Sequence, residues 1–187
     1  MDFISFETPG KQNTAMAVAN AKKNAIELGI KDIVIASTKG DTMVEVLKHF
    51  DPKQFNLICV THNYSFKEET PQEIPEHFRT ELTEKGVKFV TGTLAFSGVG
   101  SALMRKYQYF DAITLFARLV RGVVGDGVKV AMELAMMAVD AGKIKQGQEI
   151  LTLSGSGTGA DTCCWIKAAS SRYFDQLRIQ AILAKPR

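Results

Sequence analysis

The sequence predicts an α/β fold, a three-layer sandwich in which helices cover both faces of a mostly parallel sheet. Short β-branched runs typical of buried strands alternate with longer stretches whose apolar residues recur at helical spacing. Glycines, prolines or polar turns separate the two kinds of segment. Because parallel neighbours need a crossover between them, the order strand, helix, strand favours a parallel sheet.

The first half of the chain carries this alternation clearly. Val18, Ala21, Ala25 and Leu28 share one helical face, and Gly29 follows as a stop. The helices predicted in this half are 13–28, a helix from Met43 to Phe50, and 76–84. The strands predicted here are 33–36, 55–60 and 87–90.

The second half is less regular at first. Six glycines interrupt residues 92–127, where only 110–119 indicates a helix. The pattern then predicts a helix over 128–139 that ends before Gly142, and strands at 149–153, 162–168 and 177–183. No repeat or linker is visible, so residues 1–187 are predicted to form a single domain.

Composition narrows the classes of partner. The 23 Lys and Arg residues exceed the 20 Asp and Glu residues by a net charge of +3 and are spread along the chain, which favours a small anionic ligand over nucleic acid. No apolar stretch reaches membrane-spanning length and the N-terminus lacks a signal pattern, so we expect a cytoplasmic protein without a membrane partner. Three cysteines, two of them adjacent, predict reduced structural thiols, and three histidines without a ligand-spaced pair predict no metal site.

The turn after the first predicted strand is a candidate phosphate site. Its residues are Ser37, Thr38, Lys39, Gly40, Asp41 and Thr42. Hydroxyls, a lysine and the free N–H groups of a helix start favour an anion. Thr42 with Glu45 is predicted to form a capping box. Asp41 and Glu45 would repel phosphate unless they point away, and the alternative is a capped turn without ligand.

The turn after the strand at 149–153 is a second candidate. Its residues are Ser154, Gly155, Ser156, Gly157, Thr158 and Gly159. Glycines alternating with hydroxyl residues can form a nest of backbone N–H groups that suits phosphate. The spacing matches neither a P-loop nor Gly-x-Gly-x-x-Gly, and a flexible hairpin turn is the alternative.

A third candidate follows the strand at 55–60. Its residues are Thr61, His62, Asn63 and Tyr64, where His62 could donate to a ligand and Tyr64 or Phe66 could stack on a flat ring. The alternative is a polar turn followed by core aromatic residues.

Three other features are interpreted as structural rather than as ligand-binding. Arg118 and Arg121 are interpreted as a solvated basic edge, and Asp126 is predicted to cap the helix that follows. The methionines at 132, 136 and 137 suit either an interface or the core.

The order of these motifs resembles the C-terminal domain of pyruvate kinase. The similarity rests on 28–38, on the strand at 58–61, on the run 147–155 and on 162–168. The whole chain is more closely similar to a family of free-standing proteins of this fold, although the likeness is diffuse through 92–124.

The resemblance implies a regulatory domain without a catalytic barrel, and therefore no pyruvate kinase activity. In some pyruvate kinases the loop matching 37–42 grips a phosphate of an allosteric sugar bisphosphate, and the loop matching 154–159 closes over it. Asp41 argues against a sugar bisphosphate here. The free-standing relatives imply flavin mononucleotide (FMN) as an occupant, and pyruvate kinase subunit contacts imply a homo-oligomer.

Three functions follow as hypotheses. The chain is a sensing or regulatory module for a phosphorylated small molecule, or a small flavin-dependent oxidoreductase, or a structural partner subunit with a vestigial pocket.

Overall fold

The computed structural model describes residues 1–67 and 71–187 and contains seven strands and six α-helices in those ranges. The strands are β1 (Ile4–Phe6), β2 (Asp32–Ala36), β3 (Asn56–Thr61), β4 (Lys88–Thr91), β5 (Glu149–Ser154), β6 (Thr162–Lys167) and β7 (Arg178–Pro186). The helices are α1 (Thr14–Leu28), α2 (Asp41–His49), α3 (Glu76–Glu84), α4 (Gly98–Tyr107), α5 (Ala112–Val123) and α6 (Asp126–Asp140). Short 3-10 turns lie at Lys11–Asn13 and Ser171–Gln176.

All seven strands form one sheet in the order β1-β7-β6-β5-β2-β3-β4. Strands β5, β2, β3 and β4 are mutually parallel, β1 is parallel to β7, and β6 runs antiparallel to both of its neighbours. The predicted mostly parallel α/β sheet is confirmed. The chain passes from β2 outward to β4 and then crosses back to β5 on the other side of β2. The carboxyl ends of β2 and β5 therefore form a switch point, where open α/β sheets bind ligands.

Two apolar clusters fill the two sides of the sheet, which makes three layers. One cluster contains residues of α1, α2 and α3, and the other contains residues of α5 and α6. Side chains of a strand alternate between the two clusters, so that Cys163 packs in the first and its neighbour Cys164 in the second. The two adjacent thiols therefore lie on opposite faces of the sheet.

Two elements were missed by the sequence patterns. Strand β1 has only three residues and pairs with β7 at the sheet edge, which is too short for a periodic signal. Helix α4 begins with Gly98 and Gly100 in its first turn, and glycine is unfavourable inside helices.

Both predicted caps were wrong. Helix α2 begins at Asp41 with Gly40 as N-cap, so Thr42 lies inside the helix and is buried rather than capping it. Helix α6 begins at Asp126 itself after Gly125. In both cases a glycine with positive φ is the N-cap, two residues before the predicted cap in α2 and one residue before it in α6.

The methionines of α6 are core residues. Met132, Met136 and Met137 are all buried in the cluster on the α5–α6 side of the sheet. The core interpretation is therefore confirmed over the interface one. Among the helices described, none is both long and apolar enough to cross a lipid bilayer.

Candidate functional site

A cleft of about 610 Å³ opens at the carboxyl ends of β2 and β5. It lies between the turn before α1, the β2–α2 turn, the β5–β6 loop and the start of α6. The residues that line it are Lys11, Ala36, Ser37, Thr38, Lys39, Asp41, Thr42, His62, Lys67, Glu73, Arg121, Asp126, Val130, Gly155, Ser156, Gly157, Thr158 and Gly159. Its volume lies in the range of small-molecule sites. The first two predicted loops are thus brought to one cleft.

Ser37 directly follows β2 and lines this cleft. Its backbone N–H donates to the Val60 carbonyl at 3.1 Å, and its carbonyl accepts from the Cys59 thiol at 3.7 Å. Its hydroxyl is buried and has no hydrogen-bond partner among the described residues. A buried polar group without a partner is costly, so this hydroxyl is the clearest sign that something polar belongs beside it.

The start of α2 adds donors next to Ser37. No described side chain caps its first turn, which leaves backbone N–H groups without an intrahelical partner at Asp41 and Thr42, two residues that line the cleft. Thr38 and Lys39 line the cleft, and among the described residues Lys39 makes no ion pair. A helix N-terminus beside an uncompensated lysine attracts an anion.

Gly40 does not have the role that the sequence suggested. A Cβ at this position would lie 2.1 Å from a ring carbon of Phe78 on α3, and φ is 97°. Glycine is therefore required by packing against Phe78 and by the backbone turn, rather than by a ligand, and Gly40 does not line the cleft.

The acidic residues of α2 do not both face the cleft. Glu45 pairs with Lys48 at 2.6 Å and with His49 at 3.5 Å, on the outside of the helix. Asp41 stays at the rim, 3.7 Å from Lys11, with both side chains largely exposed. The expected repulsion of phosphate is thereby limited to one carboxylate that has a lysine beside it.

The glycine loop is held by Asp161, which the sequence patterns did not single out. Its carboxylate is fully buried and accepts from the backbone N–H groups of Gly10 at 2.9 Å and Ser156 at 3.3 Å. The Thr162 hydroxyl donates to the same carboxylate at 2.8 Å. Because Ser156 gives its N–H to Asp161, the loop is a braced structure and only part of the predicted nest is open to a ligand.

Gly159 lies where the loop meets the start of α1. Its φ is 73°, and a Cβ there would lie 2.5 Å from Thr14 Oγ1 and 2.7 Å from Lys11 Cα. The Thr14 hydroxyl in turn accepts from the Ala160 N–H at 3.0 Å. These close contacts hold the turn at Lys11–Asn13 against the glycine loop, and Lys11 therefore lines the cleft.

His62 lies at the cleft mouth and is held from two sides. Its Nδ1 lies 2.6 Å from Glu73 Oε2, and its ring stacks on Phe66 with centroids 3.8 Å apart. Lys67 contacts the other oxygen of Glu73 at 2.7 Å. Burial opposes ionisation of Glu73, but the hydrogen bonds from Lys67 and His62 outweigh burial and lower its pKa. The carboxylate thus fixes the ring through Nδ1, and among the described residues Nε2 has no hydrogen-bond partner.

Four predicted site residues besides Gly40 do not line the cleft. Thr61 is buried and bonds to Thr91 Oγ1 at 2.7 Å, and Asn63 donates to the Tyr64 carbonyl at 2.8 Å. Tyr64 is exposed to solvent and away from the lining. Ser154 is fully buried and donates to the Gly127 carbonyl at 2.8 Å, joining β5 to α6.

Arg121 was interpreted as part of a solvated edge, yet it lines the cleft. Its Nε lies 3.3 Å from Asp126 Oδ1 at the start of α6. Arg118 instead stacks on Phe110 at 4.4 Å and points away from the site. Residues three apart share one side of a helix, so it is their different contacts that leave only Arg121 in the cleft lining.

Helix α6, whose first turns line the cleft, contains a buried ion pair. Lys129 Nζ lies 2.5 Å from Glu133 Oε2, and both side chains are almost fully buried. Burial lowers the pKa of Lys129, and the Glu133 carboxylate partly offsets this effect. Glu133 also accepts from the Phe96 N–H at 2.9 Å, so the pair ties the segment after β4 to α6.

The cysteines do not supply a nucleophile to the cleft. All three are free and buried, and burial raises the pKa of Cys59 and of Cys164 to about 12. Protonated thiols are poor nucleophiles. None of the three lines the cleft.

No protein-family model matches the chain.

Proposed function

We propose that the cleft binds a small molecule bearing a phosphate group. The observation that carries the proposal is the Ser37 hydroxyl, which belongs to a cleft-lining residue and is buried without a hydrogen-bond partner among the residues that the structure describes. A phosphate oxygen would accept its proton and remove the cost of leaving it unpaired.

The charges around the cleft support the same ligand class. Its cations are Lys11, Lys39, Lys67 and Arg121, and its carboxylates are Asp41, Glu73 and Asp126. Three of the cations lie within ion-pairing distance of these carboxylates, and Lys39 is left beside Ser37 and the start of α2. An anion at this point meets a positive charge and helix N–H groups together.

FMN is the specific occupant that we propose to test first, on the strength of the resemblance. The phosphate end fits the group of Ser37, Thr38 and the uncapped α2 terminus. Among the described residues no Phe, Tyr or Trp lines the cleft, so the flavin ring would rest against His62, Ala36 or Val130. Bound FMN would supply hydride or electron transfer.

A sensing or regulatory role is our first proposal for what binding does, because the resemblance is to an effector-binding domain. A flavin-dependent oxidoreductase is the second candidate, and His62 favours it. The ring is fixed by Glu73 and presents Nε2 as a proton donor or acceptor at the cleft mouth.

The first experiment is an absorbance spectrum of the purified protein from about 300 to 550 nm, followed by mass spectrometry of whatever heat releases. Thermal stabilisation by FMN, sugar phosphates, nucleotides and inorganic phosphate is measured next. Flavin bands that a nicotinamide donor bleaches favour the oxidoreductase, and flavin that stays oxidised favours the sensor. A colourless protein that no phosphate compound stabilises contradicts the proposal.

A matched pair of charge reversals locates the site. Lys39→Glu removes the cation beside Ser37. Lys31→Glu changes an exposed lysine that precedes β2, at the end of the strand opposite to the cleft. We expect Lys39→Glu to weaken phosphate-ligand binding by roughly tenfold or more, since about 1.4 kcal/mol corresponds to a factor of ten. Lys31→Glu should bind as the unchanged protein does. Equal effects of the two variants would place the ligand elsewhere.

A further inference from the structure

The two predicted phosphate loops differ in whether their donors are free. At the start of α2, within the described part of the chain, the Ser37 hydroxyl has no hydrogen-bond partner and Lys39 has no ion pair. Residues 155–159 of the glycine loop also line the cleft, but this loop already holds an anion that belongs to the protein itself. The two loops are therefore not equivalent as phosphate positions.

The anion in the glycine loop is the carboxylate of Asp161. Its Oδ2 accepts from the backbone N–H groups of Gly10 at 2.9 Å and Ser156 at 3.3 Å. Its Oδ1 accepts from the hydroxyls of Thr162 at 2.8 Å and Ser156 at 3.4 Å. Asp161 is fully buried, and among the described residues no cation pairs with it. A phosphate at the Ser156 end of the loop would therefore meet this negative charge instead of free N–H groups.

The start of α6 is the other place in the cleft that could attract a phosphate, and it too carries a carboxylate of the protein. Helices α2 and α6 pack on opposite faces of the sheet, so their first turns lie on opposite sides of the cleft. Asp126 is the first residue of α6, and its Oδ1 lies 3.3 Å from Arg121 Nε. A first-turn carboxylate occupies the region where helix N–H groups attract an anion. A second phosphate that approaches Arg121 would also approach Asp126, and the two interactions oppose each other.

The other cations of the cleft are balanced in the same way. Lys11 lies 3.7 Å from Asp41, and Lys67 lies 2.7 Å from Glu73. Within the ranges that the structure describes, Lys39 is the one cation of the lining that has no carboxylate within ion-pairing distance. One free cation and three carboxylates around the same cleft favour one anionic group per ligand.

We propose that Asp126 makes the cleft selective for ligands that carry a single phosphate group. The inference rests on the phosphate site proposed above and adds the chemistry of the rest of the ligand. That part is uncharged and bears hydroxyl groups, since a carboxylate accepts hydrogen bonds from hydroxyls but repels a phosphate. The ribityl chain of FMN has this chemistry, whereas the far end of a sugar bisphosphate does not.

Two ligands that differ by one phosphate test the selectivity. Fructose 6-phosphate and fructose 1,6-bisphosphate are titrated by calorimetry into the unchanged protein and into Asp126→Asn, and FMN measures the phosphate site itself. Asparagine keeps the size of the side chain, and Asp126 is half exposed, so the variant should fold. We expect Asp126→Asn to bind the bisphosphate about tenfold more tightly than the unchanged protein, because one repulsion is removed and Arg121 is released. Affinity for FMN and for the monophosphate should change by less than about twofold.

Two further variants separate this effect from a general change of charge. Glu149→Gln removes an exposed carboxylate at the start of β5, at the end of the strand opposite to the cleft, and should leave all three affinities unchanged. Asp41→Asn removes the carboxylate at the start of α2, beside the first phosphate position, and should strengthen the binding of both fructose phosphates alike.

The outcomes distinguish the selectivity from the phosphate site. A bisphosphate that binds the unchanged protein more tightly than the monophosphate, or that gains nothing in Asp126→Asn, would overturn the role of Asp126, while FMN binding would leave the phosphate site standing. If FMN and both fructose phosphates fail to bind the unchanged protein and every variant, the phosphate site itself is wrong and the selectivity is wrong with it.

Discussion

Replacing Ser37 with alanine should stabilise the ligand-free protein and lower its affinity for a phosphate ligand. Ser37 is 4% exposed, and within residues 1–67 and 71–187 its hydroxyl has no hydrogen-bond partner. Leaving such a group buried and unpaired costs roughly 1–3 kcal/mol, which the methyl group of alanine does not incur. We expect Ser37→Ala to raise the free energy of unfolding by about 1 kcal/mol. For a chain of this length, that corresponds to about 2–4 °C in melting temperature.

The same change should reduce affinity for a phosphate ligand. A hydrogen bond to a charged group contributes roughly 1.5–3 kcal/mol, so its loss should weaken binding about 10- to 100-fold. Calorimetric titration with FMN and with inorganic phosphate measures this effect, and denaturant unfolding of the ligand-free protein measures stability.

Thr152→Val is the matched control for Ser37→Ala. Thr152 is also a fully buried hydroxyl, but it donates to the Cys164 carbonyl at 3.3 Å and lies outside the cleft. Its loss should lower stability by about 1 kcal/mol and leave affinity unchanged. The opposite signs of the two stability changes are the critical result. If Ser37→Ala lowers stability and binds phosphate ligands as before, the Ser37 hydroxyl does not form a hydrogen bond to the ligand.

Two other predictions concern the loops around the cleft. Gly159→Ala should destabilise the protein by about 1–3 kcal/mol, because positive φ and the close approach of Thr14 both exclude a Cβ. Gly122→Ala is the control, since nothing lies within 4 Å of a Cβ at that position. It should change the free energy of unfolding, measured with denaturant, by less than about 1 kcal/mol. The folded pKa of Glu73 is lowered, so its contribution to stability is present above its unfolded pKa of about 4.3 and is lost as pH falls through the folded value. Thermal melting between about pH 3 and pH 6 should therefore depend less on pH in Glu73→Gln; an unchanged pH dependence would contradict the ion-pair assignment.

Much of the fold was predictable because it depends on local periodicity. The β-branched run at 33–36 and the apolar spacing of 13–28 are properties of neighbouring residues, and the structure places β2 and α1 there. Strand ends carry the loops, so two candidate ligand loops could be recognised from the sequence. The sheet order was not predictable, because which strand lies beside β2 depends on packing between distant segments.

Side-chain direction and partner identity were decided only by the tertiary structure. Gly40 packs against Phe78, which belongs to α3, and the Thr61 hydroxyl forms a hydrogen bond with Thr91 on the neighbouring strand. Asp161 holds the glycine loop through Gly10, 151 residues away in sequence. These contacts join residues whose spacing along the chain carries no signal, since they depend on where the sheet brings distant turns together.

The two properties with the strongest functional implications illustrate the same division. The sequence alone determined that Ser37 directly follows a strand, but only the packed structure shows its hydroxyl buried without a partner in the described part of the chain. The sequence determined that a glycine-rich loop follows β5, but only the packed structure shows that Asp161 accepts from the Ser156 N–H of this loop. Local pattern specifies which elements form, and long-range packing decides which of their groups remain unsatisfied.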